Sequence, residues 1–450
     1  AGRPALATAP TGVGKTVAAL VPALRHALAH DALLFFLTAK TTQQDLVART
    51  FEDVARASGC ADGAVRALTF RQKRGMCPPG NLLCHPDHCA YLKGFLKRPL
   101  RERALADLEA DTAHVAPDRI LALGKERTIC PYALAQTLCL RVDLVIADVN
   151  YVYDPAVAFN LFENGTTSRP VVAVVDEAHN LFDRARDHHS PFVRRRELAR
   201  QAAAARSGEL LAPGDAAREP ELPGIGTPVH GRTLFDGLAA WLDRLAATID
   251  KIAEGTRDAP VGTLDACRPV RRTVGWNDAA EDAATWMIRY AHSQHVHGLI
   301  RRADPLIAVL ERVLVTRRLL LLDEPELVPY VGLGEEAPRG AGFGILCVDP
   351  ARRLEARHRA LHGTIAMSAT LEPLSYYADV LGLEPLDAVE IAVPSPFPEE
   401  HCAVTVVPTV STTWRERRRH LDGIARAIRA TLAARPGHYV AYFPSFRFLE

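Results

Sequence analysis

The sequence predicts an α/β protein built on a doubly wound parallel sheet, and three observations carry that prediction. Short apolar, β-branched runs alternate with helix-like stretches. A glycine-rich loop separates the first such run from the first helix. From about 190 to 345 the texture turns to Ala/Arg/Glu/Leu patterns of helical period before strands return, which marks a mostly helical insertion.

Taken in order, "RPALATAPTGVGKTVAALVPALRHAL" reads as strand, glycine loop and helix. "ALLFFLTAK" is a strand buried on both faces, since its apolar run is continuous, and "AVRALTF" is a further strand. "DLVIADVNY" and "PVVAVVDEAH" continue the sheet, and "HGTIAMSATLEP" returns to it after the helical block. "VPSPFPEEH" is a linker. A second α/β unit opens beyond about 400, with strand "CAVTVVP", helix "HLDGIARAIRATLAAR" and strand "HYVAYFP".

Composition sets limits on function. With 450 residues, of which 48% are apolar and 24% charged, the chain can build a substantial core and two to four domains. The formal net charge is +1, so a nucleic acid would be held by local basic patches, without a global field. No apolar run reaches the roughly 18 to 20 residues of a membrane span. There is no leader-like opening, and nine cysteines are too sparse for a disulfide scaffold, so a reducing, cytoplasmic setting is expected.

The first chemistry-bearing stretch is "APTGVGKT", residues 9 to 16. It follows the phosphate-loop pattern, with Ala9 where the general form has its first glycine. Gly12 and Gly14 free the backbone to curl, so that amides from Gly12 through Val13 and Gly14 to Lys15 and Thr16 face phosphate oxygens at a helix N-terminus. Lys15 is assigned to the terminal phosphates and the Thr16 hydroxyl to Mg²⁺. The second stretch is "VVAVVDEAHN". An acidic pair at the carboxyl end of a buried strand lies on the ligand-binding edge of such a sheet. Asp176 is assigned to Mg²⁺, Glu177 to the attacking water, and His179 to coupling with the next element. In "IAMSATLEP", the hydroxyls of Ser368 and Thr370 stand at a strand end, where they connect the nucleotide site to a bound strand or simply cap a helix.

"RGMCPPGNLLCHPDHCAYLKGF" gathers Cys77, Cys84 and Cys89, and Cys130 follows in "TICPYALA". Four thiolates hold a [4Fe–4S] cluster or one Zn²⁺, and unligated thiols are the bland alternative. Structural zinc favours two tight knuckles, and only Cys84 and Cys89 approach one. Phe70, Arg71, Lys73, Arg74 and Tyr91 flank the cysteines as a basic, aromatic surface suited to single-stranded nucleic acid by phosphate contact and base stacking. The alternative is a solvated charged face with the aromatics in the core.

In this order, "APTGVGKT", "DEAH" and "SAT" resemble motifs I, II and III of superfamily 2 helicases. "FLTAKTTQQ" is similar to motif Ia and "AYFPSF" to motif IV. The four-cysteine insertion ending in "CPY" resembles that of the XPD/DinG-type iron–sulfur helicases. The resemblance implies a P-loop RecA-like sheet carrying a cysteine-rich cluster insertion and a helical arch, plus the beginning of a second RecA-like domain. It implies motor domain 1 at 1–72, 139–188 and 346–388, a cluster domain at 73–138, an arch at 189–345, and motor domain 2 from 389 to 450. It further implies an ATP- and Mg²⁺-dependent helicase on single-stranded DNA and forks, moving 5′ to 3′, in DNA repair, with a [4Fe–4S] cluster on Cys77, Cys84, Cys89 and Cys130. The Cys77–Cys84 interval is shorter than in several members of that family, which leaves Cys139 as an alternative to Cys84. The family's arginine-bearing motif is expected outside these residues, so that they bind nucleotide but turn it over poorly. A fused nuclease elsewhere, or a non-catalytic iron–sulfur sensor, are the competing expectations.

Overall fold

The computed structural model describes residues 2–59, 64–80, 84, 86, 89–111, 113–155, 157, 169–207, 210, 231–256, 267–270, 274–296, 304–333, 340–398, 400, 403–413, 416–443 and 448. Its strands in chain order are β1 Ala5–Thr8, β2 Leu33–Thr38, β3 Ala67–Thr69, β4 His114–Val115, β5 Leu144–Asp148, β6 Val171–Asp176, β7 Phe192–Arg194, β8 Cys267–Pro269, β9 Leu327–Gly332, β10 Gly342–Cys347, β11 Gly363–Ser368 and β12 Val389–Ala392. Eight of them form one sheet in the order β12-β1-β11-β6-β2-β5-β3-β4. All of its pairings are parallel.

β2, β5 and β6 are apolar at every position up to their last residue, as strands covered by helices on both faces are. Leu34 and Phe36 of β2 share one core with Leu20 and Leu24 of the helix Lys15–Ala29 and with Val47 and Phe51 of the helix Thr41–Ala57. Leu33, Phe35 and Leu37 point the other way. They share a core with Leu105, Leu123 and Leu134, from the helices Arg98–Asp111, Pro117–Arg127 and Pro131–Leu138. Much of the cysteine-bearing insertion is therefore helical. Three helices and β4 fasten it to the sheet, and its apolar side chains belong to the sheet's own core.

The region expected to be a mostly helical arch has its helices, among them Arg195–Ser207, Gly231–Gly255 and Pro305–Leu320. It also carries a four-stranded antiparallel sheet, β7-β10-β9-β8, which the helical texture concealed. Trp241, Trp276, Tyr290 and Phe343 lie in a core separate from those of the parallel sheet.

The chain divides into two compact units, 1–394 and 395–450. β12, expected in the second motor domain, pairs with β1 and belongs to the first unit. The second unit has the expected helix, Leu421–Ala434. The two strands expected around it are not formed among the described residues 403–407 and 438–443. A β-branched run becomes a strand only by pairing. Val404, Val406 and Val440 are instead 83%, 76% and 76% exposed. Among the described residues no helix is long and apolar enough to cross a membrane.

Candidate nucleotide site and cysteine-rich insertion

β1 ends in the phosphate loop. Gly12 and Gly14 take φ of 89° and 85°, left-handed values at which a side chain would be strained. Gly14 caps the helix Lys15–Ala29, so the loop presents backbone amides and a positive helix end together. The Lys15 ammonium folds back to donate to the carbonyls of Ala9 and Pro10 at 2.9 and 3.0 Å. Thr16 follows in the first turn, half-buried.

Strand register assembles the rest. Thr8 of β1 lies beside Ser368 of β11, and Met367 lies beside Asp176 of β6. The Ala9 amide donates to the Ser368 carbonyl at 3.0 Å, tying the phosphate loop to that strand end. Asp176 closes β6, and Glu177 follows in a left-handed conformation, φ 53° and ψ 43°, with its amide donating to Asp176 Oδ1 at 3.0 Å. The sharp turn aims the two carboxylates differently. The Ser368 hydroxyl donates to Glu177 Oε2 at 3.1 Å and lies 2.6 Å from His179 Nδ1, which is itself 3.4 Å from the same carboxylate. Burial, and then the Glu177 charge, raise the Asp176 pKa, while Lys15 and His179 pull it down. A half-buried carboxylate pair beside a lysine is an arrangement that a divalent cation would neutralise. Thr370 stands exposed just past the strand.

The description DEAD_2 names the family model that matches, over residues 42–198. A Fanconi anemia group J protein homolog from Gallus gallus is 34% identical over 79 residues, which is 18% of this chain and 6% of that protein. A regulator of telomere elongation helicase 1 homolog from Oryza sativa subsp. japonica is 27% identical over 127 residues, 28% of this chain and 12% of that protein. A solved XPD helicase superposes with a TM-score of 0.51 at 14% identity, covering 87% of this chain and 58% of that one. S. tokodaii Xpd4 gives 0.51 at 13% identity, over 100% of this chain and 68% of that one. The fold is that of the XPD-type helicases. In sequence, too, the chain resembles the XPD/DinG-type superfamily 2 group, although it spans only a small part of the curated relatives it matches.

In this XPD-type fold the cysteines fall within the matched segment. Cys130 caps the helix Pro131–Leu138, and its amide donates to the Tyr91 carbonyl at 2.8 Å, beside Cys89. Gly94 has no room for a side chain, since a Cβ there would lie 2.1 Å from the Thr128 carbonyl oxygen. Cys89 and Cys130 are thus held on two elements jammed together. Burial pushes the Cys130 thiol up, and charge on Cys84 and Cys77 pushes it further. Amides of Ala133 and Tyr132 pull it down, as they would a bound thiolate. Thiols at a helix N-terminus are the donor type that a thiolate-ligated group would use. Among the described residues, however, no three His, Cys, Asp or Glu side chains are grouped tightly enough to hold a metal ion as they stand. Residues 81–83, 85, 87 and 88 lie outside the described residues. Cys139 is fully buried in the core of the parallel sheet, where burial raises its pKa, whereas Cys84 is exposed. Cys347 is likewise core, and Cys60 and Cys402 lie outside the described residues.

Phe70 does not belong to the expected nucleic-acid surface. Phe70 is 1% exposed and packs edge-on against Tyr151 and Tyr132, at ring separations of 4.8 and 5.5 Å, so it offers no face to a base. Arg71 is engaged by Gln44 and by Asp45, the latter at 3.0 Å. Lys73 and Tyr91 are half-buried, and Arg74 is exposed. Sequence reasoning passed over Arg184, whose guanidinium meets the ends of two strands, β2 and β5. Nothing in its local pattern separates it from any arginine on an amphipathic helix.

Proposed function

We propose that this chain is the nucleotide-driven core of a DNA helicase or translocase that moves along single-stranded DNA in genome maintenance. Its polarity, 5′ to 3′, follows from the family resemblance. One observation carries this: phosphate loop, acidic pair and Ser–Thr strand end meet at the carboxyl edge of adjacent strands, with Ser368 bonded to both Glu177 and His179.

Lys15 leaves the carbonyls of Ala9 and Pro10 to meet the β- and γ-phosphates of ATP, and the amides of Gly12 to Thr16 hold the remaining oxygens. Thr16 and Asp176 hold Mg²⁺, and Glu177 orients the attacking water. His179 and Ser368 sense the charge on Glu177 and transmit its change across β11. Cys77, Cys84, Cys89 and Cys130 would hold a [4Fe–4S] cluster, which supplies a covalent staple between the segment 77–89 and the helix Pro131–Leu138. Arg74, Lys73 and Tyr91 flank the path proposed for the strand.

Lys15→Ala is expected to weaken nucleotide binding by about 10-fold or more, as loss of a charged hydrogen-bond donor does. Glu177→Gln is expected to keep binding and to lose about 100- to 10,000-fold of any DNA-stimulated turnover. Nucleotide affinity unchanged in Lys15→Ala would refute the motor. Anaerobically purified protein is expected to hold iron and acid-labile sulfide. Zinc in their place would overturn the cluster while leaving the nucleotide site standing.

A further inference from the structure

We propose that Arg184 is the positioning residue through which the nucleotide site is coupled to the ends of β2 and β5, since the helix that follows β2 holds Arg71, beside the Lys73 and Arg74 proposed to flank the strand. This rests on the motor reading above.

Arg184 lies on the helix Leu181–His188, joined to Glu177 by the single turn Ala178–Asn180. The Asn180 amide and its side chain both bond the Glu177 carbonyl, at 3.0 and 3.3 Å, so carboxylate, turn and helix move as one piece. From that helix the Arg184 guanidinium reaches across the sheet. Nη2 donates to the Ala39 carbonyl at 3.2 Å. Nη1 donates to Asn150 Oδ1 at 3.3 Å and lies 3.5 Å from Asp148 Oδ1. Ala39 follows β2 and leads into the helix Thr41–Ala57; Asp148 ends β5; Asn150 opens the next turn.

These acceptors are themselves cross-linked. Asp148 Oδ1 accepts from the Asn150 amide at 2.9 Å, and the Val149 amide donates to the Thr38 carbonyl at 3.1 Å. One planar fork thus joins the helix Leu181–His188 to the two segments that close β2 and β5. Its side chain is 30% exposed and Asp148 32%. An ion pair this open adds little stability, so geometry is its stronger role. A fork with fixed donor directions holds three acceptors in one arrangement, which a lysine, as a point charge, does not. When Glu177 and its turn shift with nucleotide state, Arg184 is the lever that reaches Ala39 and the end of β5.

The test is reciprocal binding on the full chain. A fluorescent ATP analogue with Mg²⁺ is titrated with and without oligo-dT, and oligo-dT with and without the nucleotide. Wild type, Arg184→Ala, Arg184→Lys and Asn150→Ala are compared. Wild type is expected to show a coupling factor of about 5 or more, equal in both directions. In Arg184→Ala the factor falls to within about 2 of unity, while each ligand alone binds within about 3-fold of wild type. Arg184→Lys and Asn150→Ala, which keep part of the fork's contacts, fall between. A wild-type factor retained in Arg184→Ala overturns the proposal and leaves the motor intact. A factor of unity in wild type overturns both. If Arg184→Ala loses both ligands and melts earlier, while Asn150→Ala and Arg184→Lys keep the full factor, Arg184 is only a structural brace and the proposal fails.

Discussion

The two insertions in the parallel sheet are built on opposite plans. The cysteine-bearing one, between β3 and β5, sends Leu105, Leu123 and Leu134 into the core that also holds Phe35 and Val145 of the sheet. The larger one, between β6 and β11, closes its own core around Trp241, Trp276 and Phe343 and builds its own sheet. The difference teaches what each can do. An insertion that shares the sheet's core cannot loosen without loosening the nucleotide edge. One with a private core can tilt, or even unfold, and leave that edge in place.

The comparison can be broken most directly at Trp241. It is 1% exposed, and its indole donates to the Ala279 carbonyl at 2.9 Å. Trp241→Ala is expected to cost about 3 to 5 kcal/mol. The loss should appear as an early calorimetric transition confined to the larger insertion, with nucleotide affinity unchanged. Leu134→Ala, in the cysteine-bearing insertion, is expected to cost about 2 to 5 kcal/mol. Here amide exchange should quicken in β2 and β5 as well as in the insertion. Protection retained in both strands would show that the shared core is not a shared cooperative unit.

A smaller effect comes from pH. His358 lies between the Tyr153 hydroxyl and Thr364, both 3.3 Å from Nδ1, and burial drives its pKa from 6.5 down to about 4. The unfolded chain takes up a proton near pH 6.5 and the folded one does not until about pH 4. Stability is therefore complete above the unfolded value and falls as pH drops between the two, by up to about 3 kcal/mol. The slope should belong to the transition of the parallel sheet, and His358→Phe should flatten it.

The sequence exposed the parts of this molecule that depend on local chemistry. Gly12 and Gly14 announce the phosphate loop, and Asp176 and Glu177 end an uninterrupted apolar run. His179 and Ser368 each read as coupling residues in the sequence, but their hydrogen bond to one another does not, being a matter of register between β6 and β11. What stayed hidden depends on distant partners. β7 and β8 have three residues each, and β9 contains Pro329, so their antiparallel ladder leaves no alternation long enough to read. Phe70 sits among basic residues in the chain, yet its ring turns inward to Tyr151. Arg184 carries no local mark, because its three acceptors lie in two other segments of the chain.

One pairing in the larger insertion carries a practical consequence. β7, which leads out of the parallel sheet's last acidic turn, is hydrogen-bonded to β10, which leads back toward it, with Val193 opposite Phe343. Such partners stand only about 5 Å apart. The chain enters and leaves residues 195–341 at these neighbouring strand ends, so a tight turn joining Arg194 to Gly342 would remove that stretch while keeping every pairing of the parallel sheet. The molecule is thus divisible by protein engineering at a point where the chain itself has already brought the cut ends together.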